Sequence, residues 1–180
     1  MIRIANIIFA ACLSLVLFSQ WAVADPVQWP TNGHWYDAVT TAAFTRVQAV
    51  EAVHGMSWMG MPGHLATITS QEERDFIASW IPAGGFWLAG YQDPEDSPPA
   101  QDWHWSTAEP WSYTNWATNE PNDYYGPGVE SCLELYSPGM GWNDVRCIEA
   151  KNLLVEYDGL VPVAETTWGA IKGLFGLSSD

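Results

Sequence analysis

The sequence predicts an α+β domain in which two short helices flank short antiparallel sheets, with a long irregular region inserted between strands. Three observations carry that expectation. A helix-start signature, Ser70-Gln71-Glu72-Glu73, lies between two short apolar segments, 63–68 and 86–90, that read as strands. Residues 92–128 are rich in Pro, Gly, Asp and Trp, and so long a connection is out of place in a compact domain unless it has a function or something else orders it. Three short segments, 133–136, 142–147 and 152–157, then close the pattern as strands.

The elements follow in order. Residues 1–24 carry Arg3, an apolar run from Ile7 to Phe18 and the small residues Ala22 and Ala24, which reads as a secretory signal peptide. A membrane anchor is the competing reading, but the run falls short of the ~20 apolar residues that span a bilayer. The domain is assigned to residues 25–160. Residues 34–40 alternate bulky and polar side chains after Thr31, Asn32 and Gly33, as a strand does. Thr45 can cap a following helix, with Val47 and Val50 on its apolar spacing and Gly55 at its end. In the second helix the capping box pairs Ser70 with Glu73, Phe76, Ile77 and Trp80 face inward, and Pro82 stops the run. Trp35, Trp87, Trp116 and Trp142 are expected in the core; Trp103, Trp105 and Trp111 fit either a core or a ligand surface, with Trp103 and Trp105 alternating like a strand. The tail, 161–180, places Trp168, Ile171, Leu174 and Phe175 at helical spacing, which suits a docked amphipathic helix or a partner or export signal.

Composition excludes several functions. With 21 Asp and Glu against 6 Lys and Arg the net charge is −15, so a nucleic-acid partner is not expected and anionic membranes are disfavoured. Once the leader is removed, no segment is long enough to insert into a membrane. At 48% hydrophobic and 14% aromatic residues, the chain can offset its ordering entropy. Cleavage would also remove Cys12 and leave Cys132 and Cys147 as an even pair. In a secreted chain, or a periplasmic one, that pair is expected as a disulfide.

The residues that carry chemistry are Glu120-Pro121-Asn122, Glu130 two places before Cys132, and Trp142-Asn143-Asp144 inside the loop that Cys147 closes. All their ligating side chains offer oxygen. Hard cations such as calcium take six to eight oxygens, so Glu120, Asn122, Glu130, Asn143 and Asp144 make a partial calcium shell. A zinc site is not expected, because His34, His54, His64 and His104 are scattered and no Cys or His pair has structural ligand spacing.

These motifs in this order (GHLATITSQEE, FWLAG, YTNW, EPN, WND, the cysteine spacing and a terminal LLVEY) resemble a C-type lectin-like domain over roughly residues 34–158. The resemblance implies the C-type lectin fold with a calcium-ordered long loop. It implies that Glu120, Asn122, Glu130, Asn143 and Asp144 hold both calcium and sugar, with Pro121 in cis. It also implies, less directly, a second calcium at Asp93, Asp96, Asp123 and Glu130, with Glu95 as an alternative in an ambiguous register. The order Glu-Pro-Asn matches members that accept sugars with equatorial 3- and 4-hydroxyls: mannose, glucose or fucose. Tyr124 and Tyr125 are placed to pack on a sugar face or simply to be exposed loop aromatics. The family's second disulfide is missing, Val155 standing where one partner would fall.

The expected function is therefore a secreted, calcium-dependent carbohydrate-binding protein. The alternative is a lectin-like module that binds a protein or another surface and uses calcium only to order its loop. An enzyme is not expected: a glycosidase needs two opposed free carboxyl groups, and the candidate acids here are assigned to metal. Nothing in the sequence sets the oligomeric state.

Overall fold

The computed structural model describes residues 25–95, 97–137 and 139–159. The expected leader, the tail and Asp96 lie outside the described residues.

Among the described residues, two helices and nine strands form around one sheet. In chain order they are β1 (Val27–Gln28), β2 (Trp35–Phe44), α1 (Arg46–His54), β3 (Ser57–Trp58), β4 (Met61–Leu65), α2 (Gln71–Ala78), β5 (Gly84–Gln92), β6 (Trp103–Trp105), β7 (Cys132–Ser137), β8 (Gly141–Val145) and β9 (Lys151–Tyr157). The strands run β1-β2-β9-β5-β7-β8, with β4 also on β9 and β6 on β5. β2 and β9 pair antiparallel from Trp35↔Tyr157 to Val39↔Leu153, closing the two ends of the domain on each other. β5 and β9 are parallel, and the other pairs are antiparallel. This is the expected α+β architecture, and it gives the long region one strand of its own, β6, from the alternating Trp103 and Trp105.

The helix caps differ from the reading by sequence. Thr45 and Gln48 form the reciprocal capping box, on α1. At α2, Ser70 accepts from the Glu73 amide, but the Glu73 carboxylate accepts from Thr69 and from Tyr36 Oη at 2.5 Å. A buried phenol with no closer acceptor draws the carboxylate away from the local cap. The face of α1 is also different. Arg46, Ala49 and Val53 are buried, while Val47 is 69% exposed, because the helix starts one residue after Thr45 and turns Val47 outward. Val155 is fully buried in β9, packing where a second bridge would have stood.

Trp87, Trp142, Tyr36, Phe86 and the leucines of β5, β7 and β9 make the core. Trp103 and Trp105 are buried as well, Trp111, Trp116 and Tyr113 pack around Trp142, and the region from 103 to 116 is thereby held by aromatic contacts. Its later part also joins β8: Trp142 N–H donates to Asn115 O at 2.7 Å and Ala117 N–H to Trp142 O at 2.9 Å. The approach is close enough to require glycine at 141, where a Cβ would lie 2.9 Å from Ala117 Cα. Cys132 and Cys147 form the disulfide, across the β7–β8 hairpin.

At the other end of the sheet, His34 Nδ1 lies 2.6 Å from Glu156 Oε1, and Tyr36 Oη lies 3.0 Å from the same oxygen. The hydrogen bond to Glu156 holds the His34 imidazole above its usual range, against the effect of burial, with the charges of Glu156, Asp158 and Glu73 adding to it. A pKa raised on folding gives stability that is complete below the unfolded value near 6.5 and disappears as pH rises through the folded value. With chelator present, the urea midpoint should fall between pH 6 and pH 8.5, and His34→Gln should flatten that slope. Equal slopes in the two proteins would refute the assignment.

Candidate functional site

β8 places the site. Its alternation turns Trp142 and Asp144 inward and leaves Asn143 partly exposed. Asp144 is 1% exposed, and its carboxylate accepts the Asn122 amide at 3.0 and 3.1 Å and the Asp123 amide at 2.8 Å. Those amides follow Pro121, whose bond to Glu120 is cis, as is that between Asp93 and Pro94. A buried strand residue thus fixes a loop more than twenty positions earlier in the chain.

Around this staple the structure gathers Glu120, Asn122, Glu130 and Asn143 on one open cleft of ≈ 300 Å³. Tyr124, Tyr125, Glu149 and Lys151 complete its wall. Asn143 Nδ2 donates to Glu134 Oε1 at 3.0 Å, which leaves the Asn143 amide oxygen without that partner. The predicted fifth residue, Asp144, lies behind the cleft with its carboxylate engaged by amides rather than on the wall.

The carboxylates here are short of partners. Glu120 Oε2 and Glu130 Oε2 are buried without a well-aligned hydrogen bond, and the Asp123 oxygens have only the Gly128 and Glu130 backbone amides near them. Burial, then a hydrogen bond to the Asp144 carboxylate and the charges of Asp144 and Glu130, push Glu120 up to about 7. Burial and Asp144 raise Glu130 and Asp123 in the same way. The two basic groups at the edge go elsewhere: Lys151 Nζ pairs with Glu134 at 2.6 Å and Glu149 at 3.1 Å, and Arg146 pairs with Glu149 while lying 4.2 Å over the Tyr125 ring. Crowded acids, orphaned oxygens and a free amide oxygen are a donor set that fits a hard divalent cation. Glu120 and Asp144 meet carboxyl to carboxyl, but Glu120, Glu130 and Asp144 do not form a set closed to within 4.8 Å.

The tightest grouping by distance among the described residues is a different one: His34, Glu156 and Asp158. His64 Nε2 also reaches Asp158 at 3.0 Å. Two of the four histidines read as scattered therefore meet at one aspartate, because β9 pairs with both β2 and β4. For the expected second calcium, Asp123 and Glu130 do come together near Asp144. Asp93 is exposed at the end of β5, its amide bonded to Asp102 O, and no hydrogen bond links it to Asp123. Glu134, Glu149 and Lys151 were missed from sequence, although Glu134 opposite Asn143 follows once β7 and β8 are put in register.

Residues 59–155 match the family model described as the Lectin C-type domain. Halomucin of Haloquadratum walsbyi (strain DSM 16790 / HBSQ001) is 32% identical over 78 residues, 43% of this chain; the chain spans 1% of that protein. Among solved structures, the C-type carbohydrate-recognition domain of cow CD23, determined in the presence of a GlcNAc2Man3 oligosaccharide, is similar at 26% identity and a TM-score of 0.57, over 70% of this chain and 88% of that one. A calcium-independent type II antifreeze protein shares the fold at 23% identity and a TM-score of 0.59, over 78% and 99% of the respective chains.

Asp144→Ala should free the loop. Losing hydrogen bonds to a buried charged acceptor costs about 3 kcal/mol or more, and hydrogen-exchange protection at the Asn122 and Asp123 amides should collapse. Glu120 should then titrate closer to an ordinary carboxylate. Protection retained at both amides would show that something other than Asp144 holds the loop.

Proposed function

Since the chain belongs to the C-type lectin domain family, we propose that it is a secreted, calcium-dependent carbohydrate-binding protein that takes sugars with equatorial 3- and 4-hydroxyls, of the mannose, glucose or fucose type. The observation that carries this is the cleft on which Glu120, Asn122, Glu130 and Asn143 converge, with carboxylate oxygens that lack well-aligned hydrogen bonds. Calcium, bound there, would supply a positive centre with room in its shell for two vicinal hydroxyls. Glu120 accepts hydroxyl protons, the amides of Asn122 and Asn143 donate to hydroxyl oxygens, and Asp144 keeps the Asn122 backbone in place. Tyr124 and Tyr125, exposed and packed edge to face at 5.1 Å, are positioned beside the cleft to cover an apolar sugar face.

Binding, not turnover, is the role these groups suit. Acids engaged on a metal make poor proton donors, and the one amine of the cleft, Lys151, is held protonated by Glu134 and Glu149. The Cys132–Cys147 bridge suits an oxidising compartment, in keeping with the leader-like first 24 residues. No described helix is long and apolar enough to cross a membrane. The alternative is a module that docks a protein or another surface, with calcium only ordering the loop.

Two outcomes are expected. Glu120→Ala and Asn143→Ala should each abolish retention on a mannose column and weaken calcium binding while near-ultraviolet circular dichroism keeps its folded signature; retention by either variant, or elution by galactose instead of mannose, overturns the proposal. Proton competition at Glu120 should weaken calcium binding about tenfold per pH unit below about 7. Calorimetric titrations from pH 8 to 5.5 with no such loss would contradict Glu120 as a ligand.

A further inference from the structure

Where β2, β4 and β9 meet, two imidazoles face two carboxylates. His34 precedes β2, His64 lies in β4, Glu156 lies in β9 and Asp158 follows it. His34 Nδ1 is 2.6 Å from Glu156 Oε1 and 3.8 Å from Asp158 Oδ1, and His64 Nε2 is 3.0 Å from that same Asp158 oxygen. The ligating atoms of His34, Glu156 and Asp158 all lie within 4.8 Å of one another.

Imidazole protons alone hold these pairs together. Tyr36 Oη lies 3.0 Å from Glu156 Oε1, but its one proton goes to Glu73 at 2.5 Å, which leaves His34 as the donor at that oxygen. His64 Nδ1 lies 2.9 Å from Leu65 O, and a carbonyl only accepts, so Nδ1 carries the ring hydrogen. In the neutral ring Nε2 then presents a lone pair to the Asp158 carboxylate, acceptor against acceptor at 3.0 Å. Something positive must stand between them, either a second ring proton or a metal ion. An imidazole anchored on a backbone carbonyl through one nitrogen is also the usual way a protein aims the other nitrogen at a metal.

We propose that His34, His64, Glu156 and Asp158 bind one zinc ion, a structural clamp on β2, β4 and β9. Two nitrogens and two oxygens make a four-coordinate zinc set. Bonds of ~2.0–2.1 Å place tetrahedral ligands about 3.3 Å apart, and the separations of 2.6, 3.0 and 3.8 Å fall on both sides of that spacing. Calcium fits less well, because it takes six to eight oxygens and half of this set is nitrogen. Zinc would displace the ring protons and cancel the two carboxylate charges. The ion has a way in: Asp158 is 67% exposed, and a cleft of ≈ 300 Å³ walled by His34, Thr107, Glu109, Asp158 and Gly159 opens beside it. That cleft shares no wall residue with the one at Glu120. The clamp would add to the β2–β9 pairing that closes the ends of the domain on each other.

Zinc chloride is the probe, titrated by calorimetry into the untagged full chain in excess calcium, with cobalt(II) as its spectroscopic substitute. The expected result is one zinc per chain, a higher thermal midpoint, and the intense visible bands of four-coordinate cobalt. His64→Gln and Asp158→Asn should each weaken zinc at least tenfold while behaving on the mannose column as the wild type does, so this site and the sugar site are read separately. Absence of saturable zinc binding, a six-coordinate cobalt spectrum, displacement of zinc as calcium is raised, or equal zinc binding by His64→Gln would each overturn the proposal. The cobalt and calcium arms need no variant and decide the matter even if a variant does not fold.

Discussion

The contact between the Asp144 carboxylate and two backbone amides is the constraint on which the site depends. Asp144 sits in β8 on the same inward face as Trp142, so the strand that anchors the aromatic core also grips the chain just after Pro121. Remove that grip and Asn122 loses its tie to β8, leaving Glu120 held only through its amide on Ala117 O. The disulfide reinforces the arrangement from the other side: it ties the start of β7 to the residue beyond β8 and so holds Glu130, two places before Cys132, close to the same strand.

Charge is distributed to match. At the cleft, acids are crowded with too few protein donors, a stressed arrangement that a divalent cation would relieve. At the far end, Glu73, Tyr36, Glu156, His34, Asp158 and His64 form a chain of short polar contacts in which each acid has a partner. The two ends carry similar residue types and behave oppositely, because one set of acids is satisfied by the protein and the other is not. Fold alone does not separate these cases: the CD23 domain and the calcium-independent antifreeze protein superimpose on this chain about equally well. What distinguishes a functional reading is the local supply of unpaired oxygen.

Much of this was legible in the sequence, for definite reasons. Apolar composition located β5, short closing segments located β7 and β9, and the motifs picked out Glu120, Asn122, Glu130 and Asn143, which line one cleft. Val47 was misread although Thr45 was correctly taken as the cap: Val47 and Val50 share one helical stripe, but the face that packs is the one carrying Arg46, Ala49 and Val53. Glu73 was assigned its local cap because Tyr36, its real partner, lies 37 positions away. The meeting of His34 and His64 at Asp158 depends on β9 pairing on both sides, a property that belongs to no short window of residues.

The packing of Trp103, Trp105, Trp111 and Trp116 around Trp142 has an optical consequence. Their ring centroids lie 4.6 to 6.3 Å apart, near enough for excitation to pass among them, so the group absorbs and emits as a coupled chromophore. Trp142 directly precedes Asn143, and Trp116 lies four positions before Glu120, so the chromophore is joined to the cleft by a few bonds on two sides.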